Sequence, residues 1–292
     1  MPGITILPAN LATLIVESFL YGLLLLLFIS TIYFLATRRT LAGTNQTTKH
    51  HFKSVVFLGV TALFIVVTIH WSFVIYQAFF AFIHLGTNAT EDAFYADLAQ
   101  QPEVLKSVLL FIAVLLGDAL VTYRLWIIWG QSRHIIILPI LALLGVTISA
   151  VGDILKITKW EPEVRGAAFI NEEKPWTGTA FALSLLANLY STGFIIYRIW
   201  KVTKVKSASE SRLTWFVSIL VESAALQTLW LIFAAMTLFS RSDLDFIATD
   251  NFPAILGISN TLIHARVGLG WSQGAGVEHK PHPPAKHASD VV

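Results

Sequence analysis

Long apolar runs separated by short polar stretches dominate the chain. About 20 helical residues cross a hydrocarbon core roughly 30 Å thick, and seven stretches reach that length. They run from about Leu11 to Ala36, Phe52 to Phe82, Val104 to Trp129, Ile135 to Leu155, Trp176 to Trp200, Leu213 to Phe239 and Phe246 to Trp271. The last is the least apolar. Backbone groups in lipid must be paired within their own segment, so each run predicts a helix. The pattern predicts an all-α, polytopic seven-helix membrane domain over residues 1–271. From Ser272 the chain turns polar, with Pro281, Pro283, Pro284 and three histidines, which predicts a disordered tail over 272–292.

Composition narrows the function classes. Of 292 residues, 55% are hydrophobic and 13% charged, against about 25% charged in ordinary soluble domains. The mean hydropathy is +0.68. A disordered chain, a coiled coil and a soluble enzyme are excluded. A net charge of +2 gives no reason to expect a nucleic-acid partner. The absence of cysteine removes disulfides, iron–sulfur clusters, thiolate zinc sites and cysteine nucleophiles. No Gly-rich phosphate loop, His-Glu-x-x-His or Gly-x-Ser-x-Gly motif occurs, so no cofactor and no metal centre are expected.

Charge placement sets a direction. The first apolar run is too long for a signal peptide, and no Lys or Arg precedes it. Arg38 and Arg39 follow it, which puts the N-terminus outside by the positive-inside rule. With that orientation fourteen of the 20 Lys and Arg residues fall on the inner side, including Lys201, Lys204, Lys206 and Arg212 between the fifth and sixth spans. Lys106, Lys156, Lys159, Arg165, Lys174 and Arg241 fall outside, as do eleven acids, among them Glu103 and Asp250. The C-terminus is then cytoplasmic, and the expected location is the plasma membrane.

With Asp250, at the start of the seventh run, counted among the outer acids, only Glu17, Asp118, Asp153 and Glu222 of the 18 acids lie well within spans. A charged side chain at mid-bilayer costs at least about 2.5 kcal/mol and marks a partner or a function. Asp118 is near the middle of the third span and His70 near the middle of the second, while Asn188, Gln227 and Asn260 lie at mid-depth in the fifth, sixth and seventh. Glu17, His70, Asp118, Asp153, Asn188 and Asn260 are therefore candidates for a polar ligand pocket; for the amides, interhelical hydrogen bonding is the simpler role. Gln77 and His84 lie toward the outer face, His264 and Arg266 near the inner one. Arg124, Arg198 and Glu222 reach similar depth near the inner face, which predicts that Glu222 pairs with one of the two arginines and forms a contact whose opening frees the sixth span.

The third span ends in Tyr123-Arg124-Leu125-Trp126 and the fifth in Tyr197-Arg198-Ile199-Trp200, both Tyr-Arg-x-Trp at the inner face. Aromatic rings at headgroup level with a snorkelling arginine make an interfacial anchor. The stretch from Asp118 through Tyr123-Arg124-x-Trp126-x-x-Trp129, with Asn188 to Trp200 and Val221-Glu222-Ser223, resembles a group of uncharacterised seven-span proteins of mushroom-forming fungi. The resemblance covers roughly Leu11 to Trp271 and implies a topology like that of G-protein-coupled receptors. That family carries no established activity, so no residue role transfers from it. Set against rhodopsin-like receptors, Tyr123 precedes Arg124, the sixth span has no proline and the seventh lacks Asn-Pro-x-x-Tyr. A retinal protein is excluded, because no lysine occurs between Phe246 and Trp271.

The expected function is a membrane receptor or sensor that binds a small ligand from outside and addresses a cytoplasmic signalling partner through the Lys201–Arg212 loop. The alternative is a solute or ion transporter or channel using Asp118 and His70. An embedded zinc hydrolase drawing on His70, His84, His264, Asp118 and Asp153 is a lesser one, and no enzymatic activity is expected. The orientation has a direct check in two sequons, Asn88-Ala-Thr90 outside and Asn45-Gln-Thr47 inside. Expression in a glycosylating host should give a product whose mobility shift disappears in Asn88→Gln; glycan on Asn45 would reverse the topology.

Overall fold

A computed structural model describes residues 6–41, 47–85, 94–95, 97, 99–159, 167–203, 210–240 and 244–277. The helices are α1 (Ile6–Leu41), α2 (Thr47–Phe80), α3 (Gln101–Ile128), α4 (Ile137–Ile157), α5 (Ala167–Thr203), α6 (Glu210–Ser240) and α7 (Phe252–Val277). A π-turn, Ala81–Leu85, extends α2, and a single 3₁₀ turn, His134–Ile136, leads into α4. The short helix Leu244–Asp250 precedes α7. No strand occurs among the described residues. Among the described residues, six stretches are long and apolar enough to cross a membrane: Leu7–Phe34, Val55–Ile83, Gln101–Ile128, His134–Ile157, Pro175–Lys201 and Val217–Ser240. The chain is a multi-pass helical membrane protein in contact with lipid.

Two boundaries differ from the hydropathy pattern. The seventh run, expected as one helix from Phe246, is broken at Asn251, where the short helix ends and α7 begins. The last helix also continues through Ser272 to Val277, into the segment expected to be disordered. Asn45, Asn88 and the Lys204–Ser209 part of the basic loop lie outside the described residues, as does the side chain of His84.

The helices close into a ring in chain order, with α1 packed on α2 and on α7, and α6 packed on α5 and α7. Helix α3 touches α2, α4, α5 and α7 and forms the middle of the bundle with α7. Every residue from Asn251 to Thr261 is buried, so this first part of α7 is enclosed on all sides. This explains why it is the least apolar run. A helix surrounded by protein does not have to be soluble in lipid, and its Asn251, Ser259, Asn260 and Thr261 are free to be polar.

The outer helices show the opposite pattern. Ile15, Phe19, Leu26 and Ile29 of α1 are exposed while Thr13 and Glu17 are buried. On α4, Leu141, Leu144 and Ile148 are exposed while Asp153 is buried. Apolar outside and polar inside suits a hydrocarbon solvent and would precipitate a soluble protein. Aromatic stacking fixes the α1–α2 seam, with Tyr21 on Trp71 at 4.3 Å and Phe28 on Phe64 at 4.1 Å between ring centroids. The close approach of α3 to α7 depends on Gly117. A Cβ there would stand 3.1 Å from a Leu256 methyl, tighter than packed carbons tolerate without a shift.

Helix α3 ends in a left-handed turn that aims it at α4. Gly130 has φ +65° and Gln131 also φ +65°. The Gln131 N–H reaches Trp126 O at 2.9 Å and the Gly130 N–H reaches Ile127 O at 3.0 Å. That pair of bonds is the Schellman ending, which occupies carbonyls the helix leaves without partners.

Candidate functional site

Helix α3 carries ionisable groups at three levels, Glu103 and Lys106, then Asp118, then Arg124. At about 1.5 Å of rise per residue, they extend over most of the bundle's depth. The two ends of the bundle are called here the Lys106 end and the Arg266 end.

At the Lys106 end the lysine is not a loop charge. It follows Pro102 at the helix start, is 2% exposed, and its ammonium lies 3.0 Å from Glu103 Oε2 and 3.1 Å from Asp250 Oδ2. Gln77 of α2 donates to the same Glu103 oxygen at 3.0 Å. Glu103 and Asp250, expected in outer loops, are parts of this buried cluster. One helix step deeper, His70 Nδ1 of α2 donates to Glu17 Oε1 of α1 at 2.8 Å, with both side chains buried. Glu17 also lies within electrostatic reach of Lys106 and Asp250. Three carboxylates thus face one lysine and one histidine, and Glu17 Oε2 and His70 Nε2 have no hydrogen-bond partner among the described residues.

In the middle, Asp118 is buried and its Oδ1 accepts a long bond of 3.4 Å from Gln227 Nε2 of α6. Its Oδ2 has no partner among the described residues. Gln227 and Arg124, with Asn188, Thr192 and Asn260, line a cavity of about 20 Å³ between α3, α5, α6 and α7, room for about one water. Asn188 Nδ2 donates to Thr228 Oγ1 at 3.4 Å. Asn260 Nδ2 turns back to Leu256 O at 3.0 Å. Ser223 Oγ donates to Ser259 O at 2.6 Å and Ser259 Oγ to Ser223 O at 2.9 Å, a reciprocal clasp of α6 on α7.

Toward the Arg266 end the predicted gating pair is not formed. Arg124 turns inward to α7, where its Nη2 donates to Asn260 O at 3.5 Å and to His264 Nε2 at 3.3 Å. A guanidinium only donates, so the imidazole nitrogen accepts. Glu222 takes Arg266 of α7 instead, through two parallel contacts, Nη1 to Oε2 and Nη2 to Oε1, the second at 2.8 Å. Arg198 pairs with no acid among the described residues; its guanidinium lies over Trp129 at 5.4 Å, and Tyr197 and Trp200 are exposed. The two Tyr-Arg-x-Trp motifs therefore diverge. The one on α5 keeps its tyrosine and tryptophan exposed and its arginine over Trp129, while the one on α3 sends its arginine into the bundle.

The proposed common pocket separates into different helix pairs. Glu17 and His70 join α1 to α2, Asp118 faces α6, and Asp153 on α4 accepts from Thr177 Oγ1 on α5 at 2.5 Å. The His and Asp residues considered for zinc are not gathered either, since no group of three or more possible ligands occurs among the described residues. Lys106, Asp250 and Arg266 escaped the sequence reading because each was counted by loop position. The available signals were the Glu103-x-x-Lys106 spacing after Pro102, which places both on one helical face, and Arg266 at a depth similar to Glu222. No protein-family model, curated protein or solved structure matches the chain.

The two ion pairs should behave differently on mutation. Lys106→Met leaves the buried Asp250 and the largely buried Glu103 carboxylates facing each other and should cost about 3–5 kcal/mol. Glu222→Gln breaks a pair whose side chains are 40% and 49% exposed and should cost under about 1 kcal/mol. Unfolding of the purified protein in detergent by heat or denaturant checks the order, and equal losses would contradict it.

Proposed function

We propose that the chain is a seven-span membrane receptor or sensor, N-terminus outside and C-terminus cytoplasmic, that reads a small ligand at the Lys106 end and signals at the Arg266 end. The observation that carries this reading is that one enclosed helix, with the short helix before it, supplies partners at both ends. Asp250 holds Lys106, the Asn260 carbonyl and His264 hold Arg124, and Arg266 holds Glu222. A ligand with a positive group would compete with Lys106 for Asp250 and Glu103. Releasing Asp250 alters the seat of α7, and the Arg124 and Glu222 contacts lie farther along the same helix. Those contacts are long or half-exposed and can exchange at modest cost. In this reading the basic Lys201–Arg212 segment and the neighbouring end of α6 form the cytoplasmic face offered to a signalling partner, and the membrane is the plasma membrane.

Transport is the second reading, favoured by Asp118 with an unpartnered oxygen in mid-bundle. The two separate in one experiment. The chain has no cysteine, so His134→Cys and Val221→Cys give a clean spin-label pair at the Arg266 end. With the receptor reading, Lys106→Gln shifts or broadens the label distance. An unchanged distribution, or solute flux in proteoliposomes abolished by Asp118→Asn, contradicts it.

A further inference from the structure

Arg124 is the least compensated charge in the bundle. Its side chain is 7% exposed, yet no carboxylate touches it among the described residues. Both of its hydrogen bonds leave from Nη2, are 3.3 Å or longer, and end on neutral acceptors. Its Nε has no partner. The acids that might serve are engaged elsewhere, Asp118 with Gln227 and Glu222 with Arg266. A buried cation without a counter-charge is costly in a low-dielectric interior and calls for an anion or a strong acceptor set.

The same arginine lines the cavity of about 20 Å³. Around it stand the amides of Asn188, Gln227 and Asn260 and the hydroxyl of Thr192, groups able to donate to an anion. Asn260 Nδ2 is held by Leu256 O at 3.0 Å, but the other three make only long bonds. Asn188 Nδ2 reaches Thr228 at 3.4 Å, Thr192 Oγ1 reaches Asn188 at 3.5 Å and Gln227 Nε2 reaches Asp118 at 3.4 Å. A space for about one water is too small for a phosphate or a carboxylate and fits a monatomic anion.

From this geometry we infer that the cavity between α3, α5, α6 and α7 is a binding site for a halide, with chloride as the natural occupant, held by the Arg124 guanidinium and the surrounding amides. A chloride there neutralises Arg124 and ties it to α5 and α6 as well as α7. Loss of the ion leaves the arginine to compete for other acceptors at the Arg266 end. The site is independent of the ligand reading above and stands or falls separately from it.

The test is thermal unfolding of the purified full chain in nanodiscs, titrated with sodium chloride against sodium gluconate at equal ionic strength. The expected result is a saturable rise in Tm with chloride alone, absent in Arg124→Gln and retained in Arg266→Gln, whose guanidinium is outside the cavity. The same rise in gluconate, or its survival in Arg124→Gln, overturns the inference. Should Arg124→Gln fail to fold, the wild-type protein crystallised in bromide decides. An anomalous peak beside Arg124 supports the site, and an occupied chain position with no peak overturns it.

Discussion

The Lys106 ammonium, buried between Glu103 and Asp250, anchors one end of the bundle, and the position of α7 depends on it. The lysine and Asp250 are 144 positions apart in sequence. Their contact therefore ties the start of α3 to the short helix that leads into α7. A lysine cannot lie at that depth without acids beside it, and the acids cannot lie there without the lysine. The break at Asn251 follows from this. The short helix turns Asp250 toward Lys106, and α7 then descends through the middle of the bundle. Everything else about α7, its polarity, the burial of its first half and its partners on α3 and α6, depends on that central position.

The solvent explains the arrangement of the remaining groups. In water an apolar core drives folding, but lipid tails are as apolar as leucine and offer no such drive. Specific contacts have to do more of the work. Stacked rings join α1 to α2, the Ser223–Ser259 clasp joins α6 to α7, Gly117 lets α3 approach α7, and hydrogen-bonded pairs join the rest. Glu17–His70, Asp153–Thr177 and Asp118–Gln227 each link two helices. Of these groups Asp118 and Arg124 are the least satisfied; Arg124 lines the small cavity, as does Gln227, the partner of Asp118.

Hydropathy made the helices legible because a lipid-facing surface must be apolar along its whole length. Six of the seven predicted runs correspond to helices of membrane-crossing length among the described residues. The same rule hid the break at Asn251, since a helix shielded by protein carries no strong hydropathy signal. The candidates for the polar pocket, Glu17, His70, Asp118, Asp153, Asn188 and Asn260, are all buried, as their cost in lipid requires, but sequence distance from a helix end gives depth and not facing. Depth alone grouped Glu17, Asp118 and Asp153, which face three different helix pairs. Depth alone also joined Arg124 to Glu222, whereas the rotation of α3 turns that arginine to His264 and leaves Glu222 to Arg266. Lys106 was lost for a related reason: near a helix end, a charge destined for water and a charge destined for a buried partner read alike.

The claim that α7 links the two ends of the bundle is tested most directly by a double-mutant cycle between Asp250→Asn and His264→Leu. The positions are fourteen residues apart on adjoining helices, roughly 20 Å at about 1.5 Å per residue, and share no partner. Sites that far apart ordinarily add to within about 0.3–0.5 kcal/mol. If α7 carries a displacement from one end to the other, the unfolding free energies in nanodiscs will be non-additive by more than that. Simple additivity, with both single variants folded, would contradict the account.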